Sequence, residues 1–228
     1  MIISHKYKFI FIKTLKTAGT SVEVFLSEHC GANDILTPVW PAVEAHAARN
    51  YSGLWNPLRE ILMDPALFMR SGIRDLYHRR RFYNHIAAGV VRKRISAKIW
   101  KSYFKFAIDR NPWDKTLSYY YWLKRLSPEG FSLADYFAGS DFCLNYPLYT
   151  DSRGDSLVDR VLKYERLNED LGEVFAKLGI PFSGSLKVKA KSEYRSDRTH
   201  YRNVFSEAQK NRIEREFERE IALHNYEF

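Results

Sequence analysis

The fold of this chain is decided near its amino-terminal end, where residues 8–21 read KFIFIKTLKTAGTS. The first five of these residues form a nearly continuous apolar run, which is typical of a strand buried on both faces of a parallel sheet. A loop with one glycine follows, and from Thr20 onward apolar residues recur at helical spacing. We therefore predict a strand, a loop and a helix in this order, with Gly31 as the C-cap of the helix.

A second unit of the same kind begins with the short apolar stretch 103–108. Asn111, Pro112 and Asp114 then stand at the positions of an N-cap, a first-turn proline and an acidic N3 residue. These three residues mark the start of a helix, so a strand again leads directly into a helix.

A third unit combines a strand at residues 160–164 with a helix that follows Asn168 and ends at Gly179. Three strand-to-helix units in one chain indicate an α/β fold with a central parallel sheet flanked by helices. A length of 228 residues fits one compact domain, which we assign to residues 1–228.

Further helices are predicted between and after these units. Two of them lie near residues 58–77 and 86–100, and a third begins at Ser132, which forms a capping box with Asp135. Residues 206–224 have the pattern of a charged amphipathic helix.

The composition excludes several classes of protein. Hydrophobic residues make up 45% of the chain and aromatic residues 15%, which argues against disorder. No run approaches the roughly 18 apolar residues of a membrane-spanning helix, and the first residues do not read as a signal peptide. A cytoplasmic protein without a membrane span is therefore expected. Cys30 and Cys143 have no CxxC or Cys/His spacing, so neither a disulfide framework nor a zinc site is indicated.

Positive charge is concentrated in one segment of the chain. The sequence has 36 Lys and Arg residues against 27 Asp and Glu residues, a formal net charge of +9. Residues 66–105 contain eleven of the basic residues and one acidic residue, Asp75. Such a cluster favours a polyanionic partner, which includes a nucleotide, an acidic glycan, nucleic acid and a membrane surface, and it is equally compatible with a solvated basic face.

The loop Lys16–Ser21 has the composition of an anion site. It lies between the first strand and the first helix, where backbone N–H groups and the helix dipole favour an anion. Gly19 lets the backbone approach the anion, and Lys16 brings a positive charge. Thr20 and Ser21 add hydroxyl donors. The lysine leads the loop, whereas a Walker A sequence places it after the second glycine, so an ordinary nucleoside triphosphatase is disfavoured.

The same stretch resembles the 5'-phosphosulfate loop of the sulfotransferases that use 3'-phosphoadenosine-5'-phosphosulfate, and in particular of their carbohydrate-type branch. That loop is often written PKTAGTS, and here Leu15 replaces the proline. The family holds the 3'-phosphate of its donor with an arginine and a serine in an RNPxxxxxS pattern. Arg110 and Ser118 have this spacing.

The resemblance extends over most of the chain. Residues 83–107, 161–167 and 225–228 resemble further landmarks of the family, whereas residues 32–82 are the least recognisable. The resemblance implies a P-loop-kinase-like sulfotransferase fold and transfer of a sulfuryl group to an acceptor hydroxyl, with a carbohydrate as the expected acceptor. Structure that selects the acceptor is expected within residues 32–82.

The resemblance also implies roles in donor binding. Lys16 would face the bridging oxygen of the leaving phosphate, and Arg110 with Ser118 would clasp the 3'-phosphate. Arg198 lies in a basic loop, 187–201, that would either close over the nucleotide or remain a basic surface loop. No metal is expected, because the sequence shows no clustered carboxylates or His/Cys ligand spacing. The residues assigned to the donor are Lys16, Thr17, Ala18, Gly19, Thr20, Ser21, Arg110, Ser118 and Arg198.

His85 is the candidate general base for the acceptor hydroxyl. The ordinary pKa of histidine, about 6.5, suits proton removal at neutral pH, although the basic neighbourhood should lower the pKa of this residue. His46 is the second candidate, in a segment that reads equally well as a plain helix. Some relatives use a carboxylate, so Asp34 and Glu44 also stay open.

A nucleoside or shikimate-type kinase is a rival function from another enzyme class. Such a kinase would share the strand-loop-helix start and the basic lid. It would also need a Walker A lysine and an arrangement that binds Mg²⁺, and the loop offers neither in the usual order.

A nucleic-acid-binding module is the non-enzymatic rival. The sequence pI of about 9.4 and the basic segment 66–105 favour it. No RNP, KH, helix-turn-helix or zinc-finger pattern accompanies this charge, so we expect no nucleic-acid partner.

Overall fold

The computed structural model describes residues 1–40, 42–127, 130–139, 141–186 and 199–228. In these residues five strands form a single mixed sheet flanked by helices. The strands are β1 (Ile2–Ser4), β2 (Phe9–Ile12), β3 (Ile35–Leu36), β4 (Phe104–Asp109) and β5 (Arg160–Lys163). Across the sheet they lie in the order β3-β1-β2-β4-β5.

The helices of the described residues are mostly short. The part of the chain that the structure describes contains no helix that is long and apolar enough to cross a membrane. The α-helices are α1 (Gly19–His29), α2 (Leu58–Met63), α3 (Pro65–Leu67), α4 (Ile73–Tyr77), α5 (Ala88–Arg94), α6 (Ala97–Ser102), α7 (Pro112–Leu126), α8 (Leu133–Ala138), α9 (Tyr146–Tyr149), α10 (Leu167–Leu178), α11 (Glu207–Glu216) and α12 (Glu218–His224).

The parallel pairing of β2, β4 and β5 confirms the part of the sheet that the three apolar runs predict. Strands β2 and β4 are buried because helices cover both faces of the sheet. On one face Ile10 and Ile12 belong to a cluster that contains Val91 of α5. On the other face Phe11 belongs to a cluster that contains Phe175 of α10. Burial on both faces explains why the strand sequence is apolar rather than alternating.

The sheet is mixed rather than parallel throughout, because its other edge differs from the predicted central parallel sheet. β1 pairs antiparallel with β2, and β3 pairs antiparallel with β1. Only residues 5–8 connect β1 to β2. A parallel crossover needs about a dozen residues or more, so this connection permits only a hairpin. With three and two residues, β1 and β3 are too short to show a sequence periodicity.

Local capping signals are confirmed at several helix ends. The side chain of Asn111 accepts hydrogen bonds from the N–H groups of Trp113 and Asp114 at the start of α7. Ser132 opens α8 with the predicted capping box. Gly179 ends α10 in the left-handed conformation with φ 70°. The C-cap of α1 is Cys30 and not Gly31, because the chain turns extended one residue earlier than predicted.

The three helical stretches predicted at 58–77, 86–100 and 206–224 are each interrupted. The stretch 58–77 becomes α2, α3, a π-helical turn and α4, because Asp64 is extended before Pro65, which has no N–H group to continue the helix. The stretch 86–100 divides at Ser96, which caps α6. The stretch 206–224 divides at Phe217, a buried residue with φ −107°.

Candidate functional site

The loop after β2 and the segment that begins at Arg110, both singled out in the sequence, meet at the carboxyl ends of β2 and β4. β2 and β4 are parallel neighbours, so the loop after β2 and the residues after β4 leave the sheet side by side. Nη1 of Arg110 donates a hydrogen bond of 3.0 Å to the backbone carbonyl oxygen of Lys16. The structure thus joins the loop 13–18 to the start of α7.

The backbone of the loop contains two residues with positive φ. Lys16 and Ala18 both adopt left-handed conformations, with φ 61° and 57°. Alternation of this conformation with ordinary residues turns successive N–H groups towards one side, which forms a concave site for an anion. Ala18 is also the N-cap of α1, where its methyl side chain cannot accept from the first N–H groups. The described first turn of α1 carries no acidic residue.

Three contacts fix the position of this loop against β4 and α9. The Thr14 hydroxyl donates to the carbonyl of Ile108, and the hydroxyls of Thr14 and Thr17 lie 2.8 Å apart. The Asn145 side chain bonds both backbone groups of Leu15, at 2.8 Å from its Oδ1 to the N–H and 3.0 Å from its Nδ2 to the carbonyl. The Thr17 hydroxyl therefore helps to hold the loop in place, and its assignment to the nucleotide sulfate donor stays a prediction.

Gly19 has a structural partner that the sequence did not indicate. A β-carbon at Gly19 would lie 2.8 Å from Cγ of Lys13. Lys13 is 3% exposed, and its Nζ lies 2.6 Å from the carboxylate of Glu23. The glycine thus lets the start of α1 pass close to the buried Lys13, whose backbone directly follows β2 and whose Nζ is held by Glu23.

The predicted hydroxyl residues Thr20 and Ser21 lie in the first turn of α1 and are buried. Lys16 reaches towards α7, with its Nζ 5.6 Å from the centroid of the Trp122 ring. Ser118 is half-buried in α7. It follows Asn111 by seven residues, so it lies on the helix face that also carries the N-cap.

Arg110 is held by contacts on three sides. Its Nε and Nη2 lie 2.8 Å and 2.6 Å from the same carboxylate oxygen of Asp114. Its guanidinium stacks on the ring of Tyr164 at 4.1 Å. A guanidinium has five N–H donors, and the bonds to Asp114 and Lys16 use one donor on each nitrogen. Among the described residues, the second N–H group on each terminal nitrogen has no hydrogen-bond partner.

His85 lies beside the loop with one ring nitrogen engaged. Its Nδ1 is 3.2 Å from the carbonyl oxygen of Lys13. A carbonyl only accepts, so Nδ1 carries the hydrogen and Nε2 of the neutral ring keeps its lone pair. Burial, and then the charge of Lys13, lower the pKa of His85 to about 3. The direction agrees with the sequence prediction, although burial contributes more than charge.

The alternative bases occupy other positions. His46 is buried, and its Nε2 lies 2.8 Å from the carbonyl oxygen of Thr37. Thr37 in turn donates its N–H to the carbonyl of Met1, next to β1. Asp34 accepts hydrogen bonds from the Ser4 hydroxyl and from the N–H of His5, at the end of the sheet where β2 begins. The loop lies at the opposite end of β2, so the structure separates Asp34 from the candidate site. Glu44 is exposed in a turn.

A buried ionic network supports the site from behind. The Asp109 carboxylate, at the end of β4, lies 3.0 Å from Lys115 Nζ, 3.0 Å from Asn145 Nδ2 and 2.7 Å from the Tyr149 hydroxyl. Lys115 also forms an ion pair with Glu220 of α12. Burial alone would raise the pKa of Asp109, but Lys115 and these hydrogen bonds outweigh it and lower the pKa. The network ties β4, α7, α9 and α12 together.

Two remaining predictions concern Arg198 and metals. Arg198 lies outside the described residues. Within the described ranges no group of three or more His, Cys, Asp or Glu residues could hold a metal ion.

Comparison with known proteins gives one family relationship. The chain matches no protein-family model. A protein of Archaeoglobus fulgidus, described only as an uncharacterized protein, is 32% identical over an alignment of 112 residues, and the match covers 46% of this chain and 92% of the archaeal protein. The chain belongs to the same family as this archaeal protein.

Proposed function

We propose that the chain is a sulfotransferase with a P-loop-kinase-like fold, which moves a sulfuryl group from 3'-phosphoadenosine-5'-phosphosulfate to an acceptor hydroxyl. The hydrogen bond between Arg110 and the Lys16 carbonyl carries the proposal. It brings two cationic, phosphate-directed motifs together at the carboxyl ends of β2 and β4. Two such motifs suit this nucleotide, because its two phosphate groups need separate anion sites.

The loop and α1 form the site for the 5'-phosphosulfate. Left-handed conformations at Lys16 and Ala18 direct backbone N–H groups to the anion, and the amino-terminal end of α1 adds its dipole. The Lys16 ammonium neutralises charge on the phosphate that leaves. Arg110 and Ser118 of α7 hold the 3'-phosphate.

The reaction is a direct in-line transfer. The acceptor oxygen forms a new bond to sulfur while the bond from sulfur to the bridging oxygen breaks, and that oxygen keeps the electron pair as part of adenosine 3',5'-bisphosphate. His85 Nε2 takes the acceptor proton. Its lone pair is directed by the Nδ1 hydrogen bond to Lys13. The negative donor raises the pKa of this ring from its low value, so base strength develops when the donor is bound.

Isothermal titration with adenosine 3',5'-bisphosphate in EDTA tests the donor site. We expect binding that weakens about 10- to 100-fold in Lys16→Ala and in Arg110→Ala, the cost of one charge-assisted contact. The control variants Lys98→Ala and Arg70→Ala remove exposed cations elsewhere and should bind as the unmodified chain does.

Other ligands in the same titration separate the rival functions. Adenosine 5'-monophosphate lacks the 3'-phosphate and should bind more weakly than the bisphosphate. Preference for Mg²⁺-ATP would support a kinase instead. Salt-sensitive binding of an oligonucleotide, without binding of the bisphosphate, would support a nucleic-acid-binding module.

A further inference from the structure

Residues from the segments 38–40, 51–52 and 78–84 line a cavity of about 530 Å³. Most of its lining residues lie within 32–82, the region in which the family resemblance is weakest. The residues of its lining that matter here are Trp40, Tyr51, Arg79, Arg80, Tyr83 and Asn84.

Aromatic rings form part of the cavity wall. Trp40 is 83% exposed, which is unusual for the largest apolar side chain in a folded protein. Tyr51 and Tyr83 line the same cavity and are half-buried. An exposed indole ring beside a concave surface indicates a binding site for a ligand with a flat apolar face.

The wall of the cavity is also positively charged. Arg79 and Arg80 are exposed, and the guanidinium of Arg80 lies 4.8 Å from the centroid of the Tyr83 ring. The described lining residues include no carboxylate. Asp75, outside the lining, is 4.0 Å from Arg80 but is bonded at 3.0 Å to the buried Arg94. The arginines therefore present an attractive potential to an anionic group.

Asn84 supplies a polar group next to the proposed base. Its Oδ1 is shielded from solvent and has no hydrogen-bond partner among the described residues. A buried acceptor of this kind needs a donor, and a hydroxyl group of a ligand would provide one. Asn84 lines the cavity and directly precedes His85 in the sequence, which connects the cavity along the chain to the proposed base.

We infer that this cavity binds the acceptor and that its occupant is an acidic saccharide, with a carboxylate or sulfate group on the sugar. The sugar ring would stack on Trp40, its anionic group would pair with Arg79 and Arg80, and a hydroxyl would donate to Asn84. The term acceptor rests on the proposed function, whereas binding of an acidic saccharide does not.

Direct titration tests the cavity without relying on turnover. The probes are a hyaluronan hexasaccharide and a heparin hexasaccharide at 0.15 M salt, each compared with its neutral counterpart from which the acidic groups have been removed. We expect at least one acidic probe to bind ten-fold or more tightly than its neutral counterpart. The variant Trp40→Ala should bind that acidic probe ten-fold or more weakly than the unmodified chain does. The double variant Arg79→Gln/Arg80→Gln, tested separately, should show a loss of the same size.

A matched control separates the cavity from general basic charge. The double variant Arg70→Gln/Arg74→Gln removes the same charge from exposed positions outside the cavity and should bind as the unmodified chain does. Equal losses in both double variants, or equal binding of acidic and neutral probes, would overturn the inference. Tighter binding of a tyrosyl peptide than of either acidic hexasaccharide would also overturn it.

Adenosine 3',5'-bisphosphate is titrated into the same variants. The cavity variants should keep the nucleotide affinity of the unmodified chain. Nucleotide binding without saccharide binding overturns the cavity inference alone. Saccharide binding that depends on the cavity, without nucleotide binding, overturns the proposed function alone.

Discussion

The backbone at Gly19 passes the side chain of Lys13 so closely that a β-carbon would lie 2.8 Å from Lys13 Cγ. The lysine cannot swing away freely, because its Nζ is bonded to the buried Glu23. Gly19→Ala should therefore lower the free energy of unfolding by about 1–3 kcal/mol, the usual cost of overpacking. Urea denaturation measures this loss.

Gly172→Ala in α10 is the matched control for Gly19→Ala. A β-carbon there would lie 3.9 Å from the ring of Phe182, an ordinary contact. In a helix interior alanine is favoured over glycine by about 1 kcal/mol, so this variant should be neutral or more stable. A similar change in both variants would show that the contact with Lys13 is not responsible.

Ala18→Gly should make the protein more stable. Ala18 has a left-handed backbone conformation, which costs an L-residue about 1–2 kcal/mol and costs glycine little. Thermal unfolding should show a higher Tm in this variant. Ala176→Gly, at an exposed position of α10, should instead lower Tm because it places glycine in a helix.

Asp114→Asn should weaken recognition of the 3'-phosphate. Asp114 accepts two hydrogen bonds from Arg110 and so orients the guanidinium. We expect the preference for adenosine 3',5'-bisphosphate over adenosine 5'-monophosphate to fall about ten-fold, as measured by calorimetry. Asp135→Asn removes the acidic N3 residue of α8 and should leave the preference unchanged. An unchanged preference in Asp114→Asn would exclude this positioning role.

The low pKa of His85 should appear in the pH dependence of stability. Burial and Lys13 lower the pKa of this residue from 6.5 to about 3. Between these values the unfolded chain binds more protons than the folded chain, so stability falls as the pH falls below 6.5. The slope from one such group is at most about 1.4 kcal/mol per pH unit.

His85→Asn should reduce that slope between pH 6.5 and pH 4. Asparagine does not titrate there and tolerates the left-handed backbone of this position, where φ is 56°. His78→Asn, at an exposed position, is the control and should leave the slope unchanged. Urea unfolding at several pH values measures both, and an unaltered slope in His85→Asn would contradict the assignment.

The same variant tests the proposed base in turnover with sulfur-labelled donor. Loss of a general base lowers kcat about 10²- to 10⁴-fold, and nucleotide affinity should stay near that of the unmodified chain. His46→Asn should retain kcat, because His46 bonds the Thr37 carbonyl beyond β1. Full activity of His85→Asn would remove His85 from this role.

Features that depend on neighbouring residues could be predicted from the sequence. The apolar runs predict β2, β4 and β5, and Asn111 predicts the start of α7, because burial on two faces and helix capping act within a few positions. The proximity of Lys16 and Arg110 depends in addition on the strand order, because β2 and β4 are parallel neighbours and their carboxyl ends lie side by side.

Contacts between distant residues were not predictable. Asn145 bonds Leu15, 130 positions away, and Glu220 forms its ion pair with Lys115 across 105 positions. Polar side chains of this kind carry no periodic signal, and in an unfolded chain each one is satisfied by water. The cavity beside Asn84 is also invisible in the sequence, because its wall combines residues from several turns.

The sequence by itself determined that residues 8–21 form a strand, a loop and the start of a helix, because these preferences act over a few bonds. Only the tertiary structure decided that Gly19 faces Lys13, that Asn145 secures Leu15, and that Arg110 reaches the Lys16 carbonyl. The physical reason is desolvation. Once the loop is packed against β4 and α9, its buried polar groups require specific partners, and only the folded chain brings those partners within hydrogen-bonding distance.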